Sequence, residues 1–209
     1  MAERSAKRIM LLLAVFFPVT EVIKQMILLG APGGYQVWYF PFQLCSMPIY
    51  LLPLAVLTQK EEMRRLLLCF LGDFMLVGGI AVLFDTSGLF YEIPILTFHS
   101  FLWHRRMVLL ALLILSGRDY VTSTAMMAKE TAIYMLLAFI ALILNCFLSR
   151  FGPIDMFYIS PFTRMRQVVF SDIASVTGDP VAKIIYMLAT VLAAAAVKQT
   201  VKMIRLRRR

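Results

Sequence analysis

Charged residues are scarce in this sequence. Only 16% of the 209 residues are charged and 61% are hydrophobic, whereas a soluble domain has about 25% and about 45–50% of these classes. Segments of about ten residues with alternating polarity, which a membrane β-barrel needs, are also absent. These absences exclude an ordinary soluble domain and favour a bundle of membrane-spanning helices.

Cysteine and histidine are also few. The three cysteines, Cys45, Cys69 and Cys146, lie in separate apolar segments, and they predict neither a disulfide framework nor a metal site. His99 and His104 are five positions apart, so their side chains would point about 140° apart on a helix. The sequence has no glycine-rich phosphate loop and no HxxxxD acyltransferase motif, and we therefore expect no cofactor.

Apolar runs long enough to cross a bilayer, about 20 residues each, account for most of the chain. We expect an all-α fold in which about six helices form a polytopic transmembrane bundle, a single integral membrane domain over residues 1–209. The predicted helices cover residues 8–29, 36–57, 66–84, 94–116, 131–149 and 181–203. Short loops join them, apart from a longer connection over 150–180.

The distribution of lysine and arginine predicts the orientation, because cytoplasmic loops retain basic residues. With both termini inside, the loops around 30–36 and 85–93 lie outside and contain no lysine or arginine. The basic residues then assigned to the cytoplasmic side include Arg4, Lys7, Arg8, Lys60, Arg64, Arg65, Arg118, Lys129, Lys198, Lys202 and Arg205.

The net charge of +9 has a simple explanation in this topology. A basic tail such as KMIRLRRR beside a membrane helix is typical of an anchor on anionic lipids. Nucleic-acid binding is not expected, because no aromatic residues alternate with the basic ones. The expected partners are membrane lipids, as substrate or anchor, and the sequence does not define an oligomeric state.

The stretch WYFPFQLCSMPIYLLP, residues 38–53, places three prolines around a cysteine in a predicted membrane helix. Pro48 has no N–H, so the carbonyl of Leu44 is expected to lose its helical donor next to Cys45. Such a kink would open to a cavity, because lipid does not satisfy free backbone groups. A reactive thiol needs a place of this kind, accessible, polar and close to a cation or base.

Polar residues form a layer near the middle of the predicted membrane helices. At about 1.5 Å per residue, Cys45 and His104 lie roughly 13 Å and roughly 15 Å below the outer ends of their helices. Arg105 and Arg106 follow His104 directly, and Asp73 is near the middle of the third helix. Charges inside a membrane are costly, so they indicate a functional site by default.

These residues also have structural interpretations. A single cysteine in an apolar helix is usually a packing residue. Glu21 and Lys24, at i and i+3, would neutralise each other, and Asp73 would pair with an arginine of the fourth helix. The adjacent Gly78 and Gly79 predict close helix packing.

Three motifs resemble those of the YwaF family of bacterial integral membrane proteins. WYFPFQLCSMPIYLLPLAVLT resembles the family's LPLHLC region, and FLWHRRMVLLALLILSG resembles its single-histidine helix. LILNCFLSRFGPIDMFYIS is similar to a stretch in which an asparagine ends a helix before a glycine and an aromatic pair. The resemblance covers roughly residues 8–200.

The YwaF family is related to animal transmembrane protein 164, regarded as a cysteine-dependent phospholipid acyltransferase, and more distantly to membrane hydrolases of fatty-acid esters that use a threonine and a histidine. The resemblance implies that Cys45 and His104 take the places of the motif cysteine and histidine, and Asn145 that of the motif asparagine. Gln43 stands where the bacterial motif usually has histidine. The resemblance also implies a multi-pass protein of the bacterial cytoplasmic membrane.

The leading hypothesis is acyl transfer at a lipid ester, with Cys45 as nucleophile and His104 as base. The residues predicted to bind substrate are Gln43, Asp73, Arg105, Arg106 and Asn145. Of these, the arginines or Asn145 would hold a phosphate or the developing oxyanion. Two other classes remain open. A carrier or channel for a small anionic solute would use the same arginines and the broken helix, and a non-catalytic scaffold would pair all its buried polar groups.

Overall fold

The computed structural model describes residues 2–207, and every regular element in this range is helical. The α-helices are α1 (Ala2–Leu29), α2 (Pro48–Leu57), α3 (Glu61–Ala81), α4 (Pro94–Ser116), α5 (Thr124–Leu148), α6 (Phe170–Thr177) and α7 (Asp179–Arg207). Single turns of 3-10 helix occur at Val37–Tyr39, Leu44–Ser46, Ser87–Leu89, Ser149–Phe151 and Met156–Tyr158. The all-α prediction is confirmed.

Four helical segments of the described chain are long and apolar enough to cross a membrane. They are Ser5–Leu29, Pro94–Ser116, Thr124–Phe151 and Asp179–Arg207. The ten residues of α2 reach only about 15 Å, half of a hydrocarbon core of about 30 Å. The predicted number of six spanning helices is therefore not confirmed, and the cytoplasmic position of both termini stays a prediction.

The predicted second helix, 36–57, does not form as one continuous helix. Its first half consists of the 3-10 turns Val37–Tyr39 and Leu44–Ser46, and α2 begins only at Pro48. Proline is favoured at the first helical position, where its missing N–H costs nothing. The Leu44 carbonyl was predicted to lose its helical donor at Pro48. It accepts instead from the Met47 N–H at 3.2 Å.

The other predicted helices overlap the observed ones, with shifted ends. The bounds of α4 agree with the predicted 94–116. In contrast, α3 begins at Glu61 instead of residue 66, and α5 begins at Thr124 instead of residue 131. Polar residues such as Glu and Arg are good helix formers, so a helix continues beyond the apolar run that marks its membrane part. The predicted connection 150–180 contains α6 and two of the 3-10 turns.

Helix α3 is the central element of the bundle. It contacts α2, α4, α5 and α7, and its residues 67–75 are buried without interruption. A helix that is buried on all sides belongs to a protein core. Asp73 therefore lies inside the bundle and does not face lipid.

Gly79 allows α3 and α4 to approach closely, as the Gly78–Gly79 pair predicted. A Cβ atom on Gly79 would lie 2.5 Å from Val108 Cγ2 and 3.7 Å from the His104 carbonyl oxygen. This close contact fixes the turn of α4 that carries His104 against α3.

The C-terminal end of α4 is held by Arg205 of α7. The guanidinium donates to the carbonyls of Leu115, Gly117 and Tyr120 at 2.9, 2.6 and 2.8 Å. Carbonyls at the end of a helix have no intrahelical donor, and a cation there also offsets the helix dipole. Arg205, assigned from sequence to the lipid-anchoring tail, is thus half-buried and bound to backbone carbonyls of the protein.

Candidate functional site

Cys45 lies in the 3-10 turn Leu44–Ser46, directly before α2. Its residue is partly exposed, whereas Met47 two positions on is fully buried. Trp103 of α4 donates from Nε1 to the Cys45 carbonyl at 3.0 Å. This carbonyl, which a continuous helix would have used internally, instead fixes the cysteine turn against α4.

His104, the second candidate residue, directly follows Trp103 on α4. Its Nδ1 is 2.9 Å from the carbonyl oxygen of Ser100. A carbonyl can only accept, so Nδ1 carries the proton and Nε2 of the neutral ring is free to take one. Within the described chain no hydrogen bond joins His104 to Cys45 Sγ. The structure brings their two elements together, and the catalytic pairing of the side chains stays a prediction.

Lys24 provides a cation near both residues. Sequence analysis treated it only as an ion-pair partner of Glu21. Lys24 of α1 is within electrostatic range of Cys45, His99 and His104. Its ammonium pairs with Glu21 at 2.9 Å, as predicted, and both side chains are largely buried. We refer to Lys24, Cys45, His99 and His104, with Trp103 between them, as the Cys45 cluster.

The Glu21–Lys24 pair is attached to the loop above the cysteine turn. Gln25 donates from Nε2 to Glu21 Oε1 at 2.6 Å and to the Tyr39 carbonyl at 2.9 Å. Tyr39 stacks in turn on Tyr91 with ring centroids 6.3 Å apart. These contacts position α1 relative to the segment that carries Cys45.

His99 was considered from sequence only as a metal ligand and was otherwise missed. Its ring lies 5.5 Å from that of Trp103, and its Nε2 is buried without a hydrogen-bond partner. His99 and Trp103 are separated by four positions, so they share one face of α4. That i, i+4 spacing was the signal in the sequence that could have placed His99 near the cysteine turn.

Gln43 and Asn145 hold one turn of the long connection. Gln43 donates to the Asp155 carbonyl at 2.7 Å and accepts from the Phe157 N–H at 2.8 Å. Asn145, fully buried, donates to the Met156 carbonyl at 3.0 Å and accepts from the Met156 N–H at 2.7 Å. Both amides are therefore bound to backbone groups, so their observed role is to fix the turn Met156–Tyr158.

This turn is strained and lies beside the cysteine. Phe157 and Tyr158 both have φ of 57°, a conformation that costs of order 1–3 kcal/mol for a residue with a side chain. Burial, and then the nearby Cys45, raises the pKa of Tyr158. The same two causes raise the pKa of Tyr91. Both phenols therefore stay protonated and can act as hydrogen-bond donors near Cys45.

The two predicted arginines do not lie with Cys45. Arg105 is exposed on the surface of α4, while the Arg106 guanidinium lies 3.8 Å from the centre of the Phe16 ring. Such a cation–π contact stabilises a partly desolvated arginine. Among residues 2–207, neither guanidinium forms an ion pair with a carboxylate.

Asp73 belongs to a second buried group, which we call the Lys198 cluster: Asp73, Tyr120, Glu130 and Lys198. Lys198 Nζ lies 3.0 Å from Asp73 Oδ2 and 2.9 Å from Glu130 Oε1. Tyr120 donates its hydroxyl to Asp73 Oδ1 at 2.6 Å. The partner of Asp73 is thus Lys198 of α7 and not an arginine of α4. Lys198, assigned from sequence to the cytoplasmic side, is buried in the bundle and 4% exposed.

The geometry defines a class of protein. Four helices of the described chain are apolar and of membrane-spanning length, so the chain is a multi-pass membrane protein. No group of three or more potential metal ligands occurs in the described part of the chain.

The family follows from a comparison of the whole chain. A family model described as "TMEM164 family" matches residues 2–198, and the chain belongs to that family. No curated protein and no solved structure gives a significant match. The sequence prediction of a relation to transmembrane protein 164 is confirmed, whereas the YwaF name and a bacterial origin stay predictions.

Proposed function

We propose that this protein is an integral-membrane acyl-transfer enzyme that acts on a phospholipid or another lipid ester. The main support is the place of Cys45, a partly exposed thiol in the 3-10 turn just before Pro48 and α2, with Lys24 in electrostatic range. Burial raises the pKa of the Cys45 thiol to about 11, and the nearby Lys24 only opposes this shift, so the nucleophilic thiolate has to be formed with the help of a base.

In the proposed first step, the Cys45 thiol gives its proton to Nε2 of His104, and the sulfur attacks the ester carbonyl. The carbon–oxygen bond of the ester breaks, the released lipid alcohol takes the proton back from His104, and the acyl group remains on sulfur as a thioester. An acceptor alcohol, or water, then attacks the thioester with His104 again as base and restores the thiol.

Other residues have supporting roles in this proposal. Lys24, Tyr91 and Tyr158 offer donors for the oxyanion, because all three lie within electrostatic range of Cys45. Gln43 and Asn145 act through the turn Met156–Tyr158, which they hold. Arg105, exposed on α4, and Arg106 stay candidates for contact with a lipid phosphate.

The test compares the rates at which the three cysteines react with a lipid-chain chloroacetamide. Cys146 is more exposed than Cys45, and Cys69 is buried. Exposure alone predicts that Cys146 reacts fastest, so faster labelling of Cys45 would report activation. We also expect Cys45→Ala to abolish acyl transfer, and Cys69→Ala and Cys146→Ala to retain it. Full turnover by a folded Cys45→Ala variant would end the proposal.

A carrier or channel for a small anionic solute is the second candidate, and the buried charges of the Lys198 cluster favour it. Intramembrane charges are typical of transport pathways. In liposomes, solute uptake that Cys45→Ala leaves unchanged and that a folded variant of the Lys198 cluster loses would support this function over acyl transfer.

A further inference from the structure

A groove of about 600 Å³ lies between α5 and α7 on the surface formed by two membrane-spanning segments. This volume falls within the range of about 300–1,000 Å³ found for ligand sites. Its lining residues from α5 are Met135, Ala138, Phe139 and Leu142. The connection and α7 contribute Ile159, Pro161, Asp179, Pro180, Lys183, Ile184 and Met187.

The groove has one polar end and one apolar end. Asp179 and Lys183 lie in the first two turns of α7, and Met187 lies about 12 Å along the helix from Asp179 at 1.5 Å per residue. One leaflet of a hydrocarbon core is about 15 Å thick. The groove therefore extends from a membrane surface towards the midplane, as the chain of a lipid does.

Lys183 provides an unusual charge at the polar end. Its residue is 7% exposed, and Nζ donates to the carbonyls of Ser160 and Thr163, both at 2.5 Å. An ammonium has three donors, so one is left. Within the described residues Lys183 has no carboxylate at ion-pair distance, and Asp155 interacts with it only at longer range, although burial of a charge is costly without a directly paired partner.

Asp179 gives the polar end a second, opposite charge. Its Oδ1 accepts from the Met165 N–H at 2.7 Å, which fixes the carboxylate at the mouth of the groove. A cation and an anion one helical turn apart match a headgroup that also carries one charge of each sign.

We propose that the groove binds one zwitterionic phospholipid. Its acyl chain lies along Met135, Phe139 and Ile184, its phosphate accepts from Lys183 Nζ, and its ammonium lies at Asp179. The inference is separate from the proposed reaction, because no lining residue belongs to the Cys45 cluster.

The first experiment places the full chain in nanodiscs of phosphatidylcholine that contain a fraction of phosphatidylcholine with a diazirine in mid-chain. After photolysis, mass spectrometry measures labelling of the α7 peptide that carries Ile184 and Met187. We expect Met135→Trp to fill the groove and reduce this labelling severalfold. Leu136→Trp is the matched control, because Leu136 is a neighbouring exposed residue that does not line the groove. Equal labelling in the two variants would overturn the proposal.

The second experiment tests the headgroup by competition with unlabelled lipids. Phosphatidylcholine should displace the probe more strongly than phosphatidylglycerol. Lys183→Gln should weaken retention about tenfold, as expected for loss of a hydrogen bond to a charged group. Asp179→Asn should shift the preference towards phosphatidylglycerol. If unlabelled lipids displace the probe without headgroup preference, the groove holds an ordinary surface lipid only and the proposal is overturned. This result comes from the unsubstituted protein, so it stands even if Lys183→Gln fails to fold.

Discussion

The Lys198 cluster and the Cys45 cluster each contain a largely buried lysine, but they differ in how accessible their other polar groups are. Lys198 lies within 3.0 Å of both Asp73 and Glu130, and the carboxylates are fully buried. The Cys45 cluster instead contains a partly exposed thiol and a histidine nitrogen with no partner. Both clusters keep a buried atom without a hydrogen-bond partner, Glu130 Oε2 in one and His99 Nε2 in the other. The feature that leaves capacity for a ligand is therefore the accessible thiol of the Cys45 cluster.

The strained turn adds to this difference. Tyr158, with its positive φ, lies near Cys45, and no residue of the Lys198 cluster has a positive φ. Strained residues persist only where the surroundings hold them, and they are frequent at functional sites. Under the proposed function, the chemistry belongs to the Cys45 cluster and the Lys198 cluster contributes stability, and mutation tests each assignment.

The largest expected effect concerns His104. His104→Ala should lower acyl-transfer turnover about 10²–10⁴-fold, the usual contribution of a general base. Combined with Cys45→Ala, it should add almost no further loss, because the two act as a unit. His99→Ala, the control on the same helix, should lose less. A greater loss in His99→Ala than in His104→Ala would assign the base to His99.

The next effect concerns folding and the Lys198 cluster. Lys198→Met removes the ammonium that pairs with both Asp73 and Glu130 and should lower the free energy of unfolding by about 3–5 kcal/mol, the usual cost of breaking a buried pair. Lys202→Met, one helical turn further along α7, serves as the control and should change little. Denaturation in detergent measures both, and equal stability of the two variants would contradict the structural assignment.

A smaller effect is expected at Gln43. Gln43→Ala leaves the Asp155 carbonyl and the Phe157 N–H without their partner and should cost about 1–3 kcal/mol. Labelling of Cys45 by the chloroacetamide should slow as well, because the turn beside it loosens. Gln36→Ala removes an exposed glutamine whose one bond, to Gly33, is long at 3.4 Å. If both variants label Cys45 at the wild-type rate, the turn does not support the site.

The smallest effect is expected for an exposed lysine–glutamate pair, Lys129 and Glu62. Lys129 pairs with Glu62 and lowers the pKa of that exposed carboxyl. A lowered folded pKa means that any stabilisation is present above the ordinary glutamate pKa of about 4.3 and is lost as the pH falls through the folded value. Glu62→Gln should leave stability at neutral pH unchanged within error and remove only this acid-side dependence. A large loss at neutral pH would refute the surface assignment.

The sequence predicted some parts of this molecule well. The run from Pro94 to Ser116 lies between a proline and a glycine, and α4 has those bounds. Gly79 predicted a close helix contact, and Glu21 with Lys24 predicted a local pair. Each of these features depends on residues near in sequence or on composition, which is why sequence alone was sufficient.

Sequence reasoning failed where a distant partner decided the outcome. It treated residues 36–57 as one helix, although Trp103 of α4 binds the Cys45 carbonyl and Pro48 starts a new helix. It counted Lys198 among the basic residues of the cytoplasmic side and did not predict that two carboxylates from α3 and α5 hold it in the interior. It did not predict that the Asn145 amide bonds to the backbone of Met156, and the substrate-binding role of Asn145 stays a prediction.

The sequence by itself thus determined a helical membrane protein, because apolar content and run length set the solvent in which each segment is stable. Only the tertiary structure decided which polar residues meet. Burial of Lys198 depends on carboxylates 125 and 68 positions earlier in the chain, Asp73 and Glu130. The surroundings of Cys45 depend likewise on α1, α4 and the turn at Met156–Tyr158. Hydropathy describes how each residue interacts with lipid or water, but a buried charge is stabilised by partners that only folding brings within bonding distance.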